Sequence, residues 1–357
     1  MFDVDNKIRN LEALRECRQT LFETPKLRHL FLEMTLRCNE NCLHCGSRCN
    51  EKQIEEIPAD AYKRVLDNVK EKIGTKGIMI NVTGGEPLLR KELFEITRYA
   101  TDLGFNWGMT SNATLIDREV AHKLKEAGMK TISISIDGLE KTHDEFRRTP
   151  GGYKRAMEGI NALIEEGGFQ HIQVTTVCTH KSIQELDELY KIFDKMDIDS
   201  WRVIGIEPMG RANDNQDLNL TAEDQKYLFE FIRNMRIKGE PVCYGCSHYL
   251  GLEYEREVRD WYYFCTAGIY TASIACNGDI LACLDIERRP ELVQGNVLKD
   301  EFVDVWLNKF KDFRRDLCED NEECKTCSHK DYCHGGSFHS WDFENKKQRM
   351  CFKDILF

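Results

Sequence analysis

The chain has 357 residues, 41% of them hydrophobic and 31% charged, which is enough apolar material for one large domain or two. A formal net charge of −11 argues against an extended phosphate-binding surface, so nucleic acid is a poor first guess for a partner. The N-terminal stretch "MFDVDNKIRNLEALRECRQT" is charged throughout and no later run is apolar for long enough to span a bilayer, so the expected setting is a soluble protein of the cytoplasm with no membrane partner.

Residues 1–28 read as a helical extension. The first strand candidate, "HLFLEMT" (29–35), runs into "LRCNENCLHCGSRC", where Cys38, Cys42 and Cys45 make C-x3-C-x2-C. A helical pattern over 58–74 leads to the strand "GIMINVT" (77–83), which feeds Gly84, Gly85, Glu86 and Pro87. The next helix, 90–103, aligns Leu93, Ile96, Thr97 and Ala100 on one face. The strand "FNWGMTS" (105–111) ends beside Asn112, and a helix over 116–127 follows. Then come "KTISISID" (130–137), a helix over 152–167, "HIQVTTVC" (171–178), a helix over 182–196 and "SWRVIGIE" (200–207).

This alternation predicts an α/β fold with a parallel sheet and helices outside it, either an open doubly wound sheet or a partial barrel. In both, active groups gather at the C-terminal ends of the strands, so the cysteine loop and "GGEP" share one rim. A core over 29–225 is expected to pass through a helical bridge, 226–262, to a cysteine-rich domain over 263–357 with short strands such as "YTASIAC".

Sixteen cysteines need explanation, because a reducing cytosol does not maintain a disulfide framework. Cys17 and Cys178 read as buried small hydrophobes. The others cluster, as metal ligands do. Three thiolates make a poor structural zinc site, which closes with four ligands. They make a good incomplete site for a four-iron four-sulfur cluster, leaving one iron open to a small molecule. The glycine pair on the next loop lets backbone approach that molecule, Glu86 offers a carboxylate to an amine, and Pro87 sets the exit.

The pairing of C-x3-C-x2-C with "GGEP" resembles the radical S-adenosylmethionine (radical SAM) superfamily over about residues 29–210. The resemblance implies a partial (β/α)6 barrel with a 4Fe-4S cluster on Cys38, Cys42 and Cys45, His44 being the residue before the last cysteine. It implies that S-adenosylmethionine chelates the open iron with its amino group against the Gly84–Pro87 loop, and that reductive cleavage yields a 5'-deoxyadenosyl radical. Ser135 and Arg147 match the places where similar enzymes meet the ribose and carboxylate, with Ser133 and Arg148 as neighbours that share those places. Asn112 matches a pocket position, and "GIEPMGRA" (205–212) sits where relatives lay backbone on adenine. An electron donor such as flavodoxin or ferredoxin is implied as a partner.

The tail resembles the SPASM domain. Cys265 and Cys283 fall in C-x12-G-x4-C around Gly278, and Cys324, Cys327 and Cys333 fall in C-x2-C-x5-C, followed by Cys351. The family pattern implies that Cys324, Cys327, Cys333 and Cys351 hold an outer auxiliary 4Fe-4S cluster; a structural zinc is the alternative for that set. The chain departs from the pattern at Ser337, where the family has a cysteine of the inner cluster. Cys265 and Cys283 then need partners among Cys276, Cys243 and Cys246, an open iron remains, or there is no inner cluster, so one or two auxiliary clusters are expected. Cys49 and Cys318 fall outside the motifs and read as buried or spare thiols. The tail clusters would take an electron from a substrate radical, and Asp285 is the candidate base for its proton.

The leading expectation is an enzyme, a maturase that oxidatively modifies a residue of a ribosomal peptide or protein. The alternatives are a small-molecule or tetrapyrrole biosynthetic enzyme with the same machinery, and a non-catalytic iron-sulfur carrier or scaffold. Related sulfatase maturases place an aspartate directly after the cysteine equivalent to Cys283; here Leu284 stands there, which lowers that particular activity. If a peptide is the substrate, the aromatic-rich "RDWYYFC" (259–265) is a candidate groove wall, set against its reading as core.

Overall fold

The computed structural model describes residues 3–245 and 248–357. Helix α1 (Val4–Glu23) precedes β1 (His29–Glu33), and α2 (Ala59–Lys72) connects β1 to β2 (Met79–Thr83). The same unit repeats through α3 (Leu93–Leu103), β3 (Asn106–Ser111), α4 (Arg118–Glu126) and β4 (Thr131–Ser135). Helices α5 (Glu140–Arg147) and α6 (Gly152–Glu166) lead to β5 (His171–Cys178), and α7 (Leu186–Phe193) leads to β6 (Ser200–Gly205). Helix α8 (Ala222–Ile237) returns the chain to β7 (Val242–Tyr244), and α9 (Gly251–Tyr254) is a single turn. The tail adds β8 (Thr271–Ile274), β9 (Asp279–Leu281), β10 (Gly295–Asn296) and α10 (Phe302–Asn308).

Strands β1 to β7 lie side by side in chain order and all parallel. That order belongs to a partial barrel and not to a doubly wound sheet, whose strand order reverses at a switch point. The six strand candidates fall on β1 to β6, and β7 is a seventh that three residues are too short to announce by period. Alternation separates the faces: Leu30, Leu32, Ile80, Val82, Trp107, Ile132, Ile134 and Val203 are buried in the hydrophobic core. The opposite face carries Asn81, Ser133, Thr175 and Arg202, whose hydroxyls and guanidinium are joined by Ser133–Thr175 and Arg202–Thr175 hydrogen bonds. A polar inner face is what a substrate-bearing barrel needs.

The tail is continuous with this sheet. Strand β8 pairs parallel with β1, His29 opposite Thr271 and Leu32 opposite Ile274, while β9 and β10 add antiparallel. Helix α10 packs by α2, where Asn68 accepts from Val303 N–H at 2.9 Å and Trp306 is buried. Cys178 is buried as expected, whereas Cys17 is exposed: α1 turns Leu11 and Leu21 inward and leaves Cys17 on its outer side. No helix among the described residues is long and apolar enough to cross a membrane.

Because β8 supplies one of the two neighbours of β1, cutting the chain after residue 262 strips a central strand of its partner. The fragment 1–262 is expected to be insoluble or aggregated; a soluble monomer with a cooperative melt would show that the tail is dispensable to the barrel.

Candidate functional site

The loop after β1 carries Cys38, Cys42 and Cys45 and is held from several sides. Asn50 closes it, accepting from Cys38 N–H at 2.9 Å and donating to Cys38 O at 2.8 Å. Arg211 donates to Asn41 and to Cys49 O, and its own N–H donates to Cys45 O at 3.1 Å. His44 is stacked on Phe146 at 4.4 Å with 7° between the rings, and burial lowers it to about 4, so it is neutral at physiological pH.

The strongest tie is Arg147. It is buried at the C-terminal end of α5, with Nη1 2.8 Å from Glu40 in the cysteine loop and Nη2 2.7 Å from Asp137 at the end of β4. Asp137 in turn accepts from Val177 N–H at 2.8 Å. Burial would raise Asp137, but the Arg147 guanidinium beside it holds it below the usual carboxylate range. Arg148 is the exposed member of the pair, in a left-handed conformation. Ser135 ends β4 on the inner face, in register with Thr175.

"GGEP" lies against this loop at backbone contact. A Cβ on Gly84, whose φ is +150°, would sit 2.4 Å from Thr35 O, and one on Gly85 would sit 2.2 Å from Arg37 O. No side chain fits at either place. Glu86 is fully buried and turned inward: Ser111 Oγ donates to both carboxylate oxygens at 3.0 Å, and the N–H groups of Asn112 and Leu88 donate at 2.9 and 3.2 Å. Its carboxylate therefore fastens the loop to the end of β3. Pro87 opens the short turn that follows. Asn112 lies beside the first cysteine, with Nδ2 3.9 Å from Cys38 Sγ and 2.9 Å from Asn39 Oδ1.

The thiols fit clusters better than single ions. Tetrahedral zinc at about 2.3 Å from each sulfur would draw the sulfurs to about 3.8 Å of one another. Among the described residues no three thiols approach within 4.8 Å of one another; the one group of possible ligand atoms so close is Glu207, His248 and His339. Burial raises the pKa of Cys324, Cys333 and Cys351, and neighbouring thiols of the same set, Cys327 among them, lie near enough to raise it further by their charge. In the first site, burial pushes Cys38 up to about 11 and Cys42 higher, while a hydrogen bond from the Cys49 thiol pulls Cys45 down to about 5. Ligation there releases protons, which a cationic cluster compensates.

A cavity of about 310 Å³ joins rim and tail, lined by His44, Gly46 and Met209 from one side and Cys265, Cys283 and Asp285 from the other. Ser337 faces the same cavity, at the position where the tail pattern departs from cysteine. Cys283 Sγ is 3.8 Å from Asp285 Oδ2. Of the other thiols considered for an inner cluster, Cys276 is buried against Cys49 and Leu36, Cys243 lies on β7 opposite Arg202, and Cys246 is outside the described residues. From "RDWYYFC", Phe264 lines the cavity, Tyr262 and Tyr263 are buried and Trp261 is exposed.

Sequence reasoning missed several groups. Glu40 and Asp137 are invisible as partners of Arg147 until the fold joins them, and Cys49, outside the motif, donates its N–H to Cys45 Sγ at 3.4 Å. In the sequence Glu207 stands out only as part of a backbone segment; burial would raise it, but His339 and His248 hold it well below the usual range.

Burial, the largest cause, lifts Glu86 to about 7 from an ordinary 4.5. A carboxyl whose folded value lies above its unfolded one loses its stabilising contribution as pH rises from the unfolded value through the folded one. The stability advantage of the cluster-free protein over its Glu86→Gln variant is expected to shrink by on the order of 3 kcal/mol between pH 4.5 and 7.5. Thermal melts across that window check it; a constant difference would mean that Glu86 stays ionised in the fold.

Comparison with known proteins agrees with this geometry. The radical SAM superfamily model matches residues 32–193, and the iron-sulfur cluster-binding SPASM model matches residues 265–328. The chain is 28% identical over 322 residues to the AdoMet-dependent heme synthase of Methanosarcina barkeri, covering 85% of this chain and 89% of the relative. It is 28% identical over 310 residues to mycofactocin maturase MftC of Mycolicibacterium smegmatis, covering 85% and 76%. The crystal structure of Streptococcus suis SuiB bound to S-adenosylmethionine shares the fold, with a TM-score of 0.71 at 19% identity over 93% of this chain and 77% of that one. With the first model on the barrel and its cysteine loop and the second beginning on Cys265, the chain is a radical SAM superfamily enzyme with a C-terminal SPASM domain.

Proposed function

We propose that this enzyme oxidatively modifies a residue of a ribosomal peptide or protein. The observation that carries the reading is the cavity shared by the cofactor rim and the tail thiols, narrow at about 310 Å³ and sharing Gly46, Met209, Asp285 and Ile286 with a wider cleft of about 760 Å³. A side chain fits the inner space while its backbone occupies the cleft. When bound, the first cluster and S-adenosylmethionine supply a 5'-deoxyadenosyl radical, and one or two tail clusters supply an electron acceptor.

The chain's own residues do the rest. The Gly84–Gly85 backbone receives the amino group of the cofactor, Asn112 and Ser135 border its pocket, and Arg147 holds the cysteine loop against the rim. Asp285, in the cavity wall beside Cys283, takes the proton that a substrate radical sheds as it is oxidised. Cys324, Cys327, Cys333 and Cys351 hold the outer auxiliary cluster, and Cys265 and Cys283 face the substrate. The enzyme works in the cytoplasm and draws electrons from a flavodoxin or ferredoxin.

A second reading, tetrapyrrole biosynthesis, is favoured by the 28% identity to a heme synthase across 85% of the chain. The cleft's arginines do not decide for it: Arg288 is paired with Glu33, Arg289 with Glu291 and Arg349 with Glu287.

Anaerobically reconstituted protein with S-adenosylmethionine and a reductant is expected to form 5'-deoxyadenosine. The Cys38→Ala, Cys42→Ala, Cys45→Ala triple variant is expected to form none while losing about four irons and keeping the tail iron. Retained cleavage in that variant would remove the assigned site. Coexpression with a short peptide encoded beside this chain is expected to change the peptide's mass. An unchanged peptide together with turnover of a tetrapyrrole carboxylate would move the function to the second reading.

A further inference from the structure

One cluster of metal-ligating side chains stands apart from the cysteine motifs. Glu207 lies on the loop after β6, His248 on the segment after β7, and His339 in the tail two residues beyond Ser337. The fold brings these three separate segments together so that one ligand atom from each lies within 4.8 Å of the others.

The arrangement is directional. His339 Nε2 is 2.9 Å from Glu207 Oε2, and His248 Nε2 is 3.3 Å from Glu207 Oε1, so each carboxylate oxygen faces one imidazole nitrogen. His248 is 3% exposed, and its Nε2 makes no hydrogen bond of acceptable geometry with any group. A buried imidazole nitrogen that faces a carboxylate at 3.3 Å outside hydrogen-bond geometry, with a second imidazole beside it, is a group that ligation would satisfy. The ring centroids of His248 and His339 are 5.7 Å apart at 56°, which leaves the two nitrogens converging without stacking the rings.

We propose that Glu207, His248 and His339 bind one divalent transition-metal ion, zinc or ferrous iron, separate from the iron-sulfur clusters. Two imidazoles and one carboxylate are a donor set for such ions, and three protein ligands leave coordination positions open. Glu207 and His339 stand in the wall of the cavity that also contains Cys265, Cys283 and Asp285, with His248 behind them. The open positions therefore face the substrate space, where the ion takes an anionic oxygen such as a substrate carboxylate. The close spacing suits one ion and not a cubane, whose ligands must spread over several irons.

The test uses zinc itself as the probe on the cluster-loaded enzyme. After anaerobic incubation with zinc and desalting, the wild type is expected to retain about one zinc per chain with its iron and sulfide unchanged. Glu207→Gln, which keeps shape and removes charge, and His248→Ala are each expected to lower retention at least tenfold while iron content stays the same. X-ray absorption at the zinc edge of the wild type is expected to show nitrogen and oxygen neighbours without sulfur. Absence of retained zinc in the wild type, wild-type retention in either variant, a sulfur shell, or loss of about four irons on replacing His339 would each overturn the proposal, the last by making His339 a cluster ligand.

Discussion

The buried guanidinium of Arg147, clamped between Glu40 and Asp137, is the constraint on which the site depends. Two carboxylates and one cation leave the interior with a charge that is tolerable only while all three meet, and removing one partner of such a set costs about 3–5 kcal/mol. Glu40 belongs to the cysteine loop, Asp137 to the end of β4, and Arg147 to the end of α5. The clamp therefore converts a loop rich in thiols into a fixed feature of the barrel rim. Phe146, the residue before Arg147, stacks on His44 and repeats the connection in apolar form.

Glu86 makes the corresponding joint on the other side. Its carboxylate accepts from Ser111, Asn112 and Leu88, so Glu86 holds "GGEP" from the inside of the fold. Both joints are hydrogen-bonded networks shielded from water, which is why loops without regular structure keep one geometry there. Continuity of β8 with β1 carries the same rigidity into the tail and sets Cys265 and Cys283 across one cavity from the cofactor rim.

Much of this was legible in the chain. Period-two apolar runs marked β1 to β6 within a few residues, and the thiol spacing with the glycine pair named the chemistry. Errors came where context outweighs pattern. Cys17 and Cys178 look alike as isolated thiols, yet one lies on the outer face of an amphipathic helix and the other inside a parallel strand. Strand β7 has too few residues to display a period, and exists because β6 offers it an edge. Arg147 reads from the resemblance as a contact to the cofactor, and only the approach of Glu40 from far along the chain reveals it as a buried clamp.

Local spacing by itself determined what depends on neighbours in sequence: the three-thiolate loop, the glycine turn, the strand-helix alternation and hence the rim where the motifs meet. Tertiary structure alone decided what depends on distant segments meeting. It chose the partial barrel through strand order, turned Glu86 inward, and placed Ser337 in the cavity with Cys265 and Cys283. It also brought Glu207, His248 and His339 to one point, although no motif spans them. Spacing encodes geometry only over the few residues that one loop or helix face covers, and beyond that range the packing of the sheet sets which side chains meet.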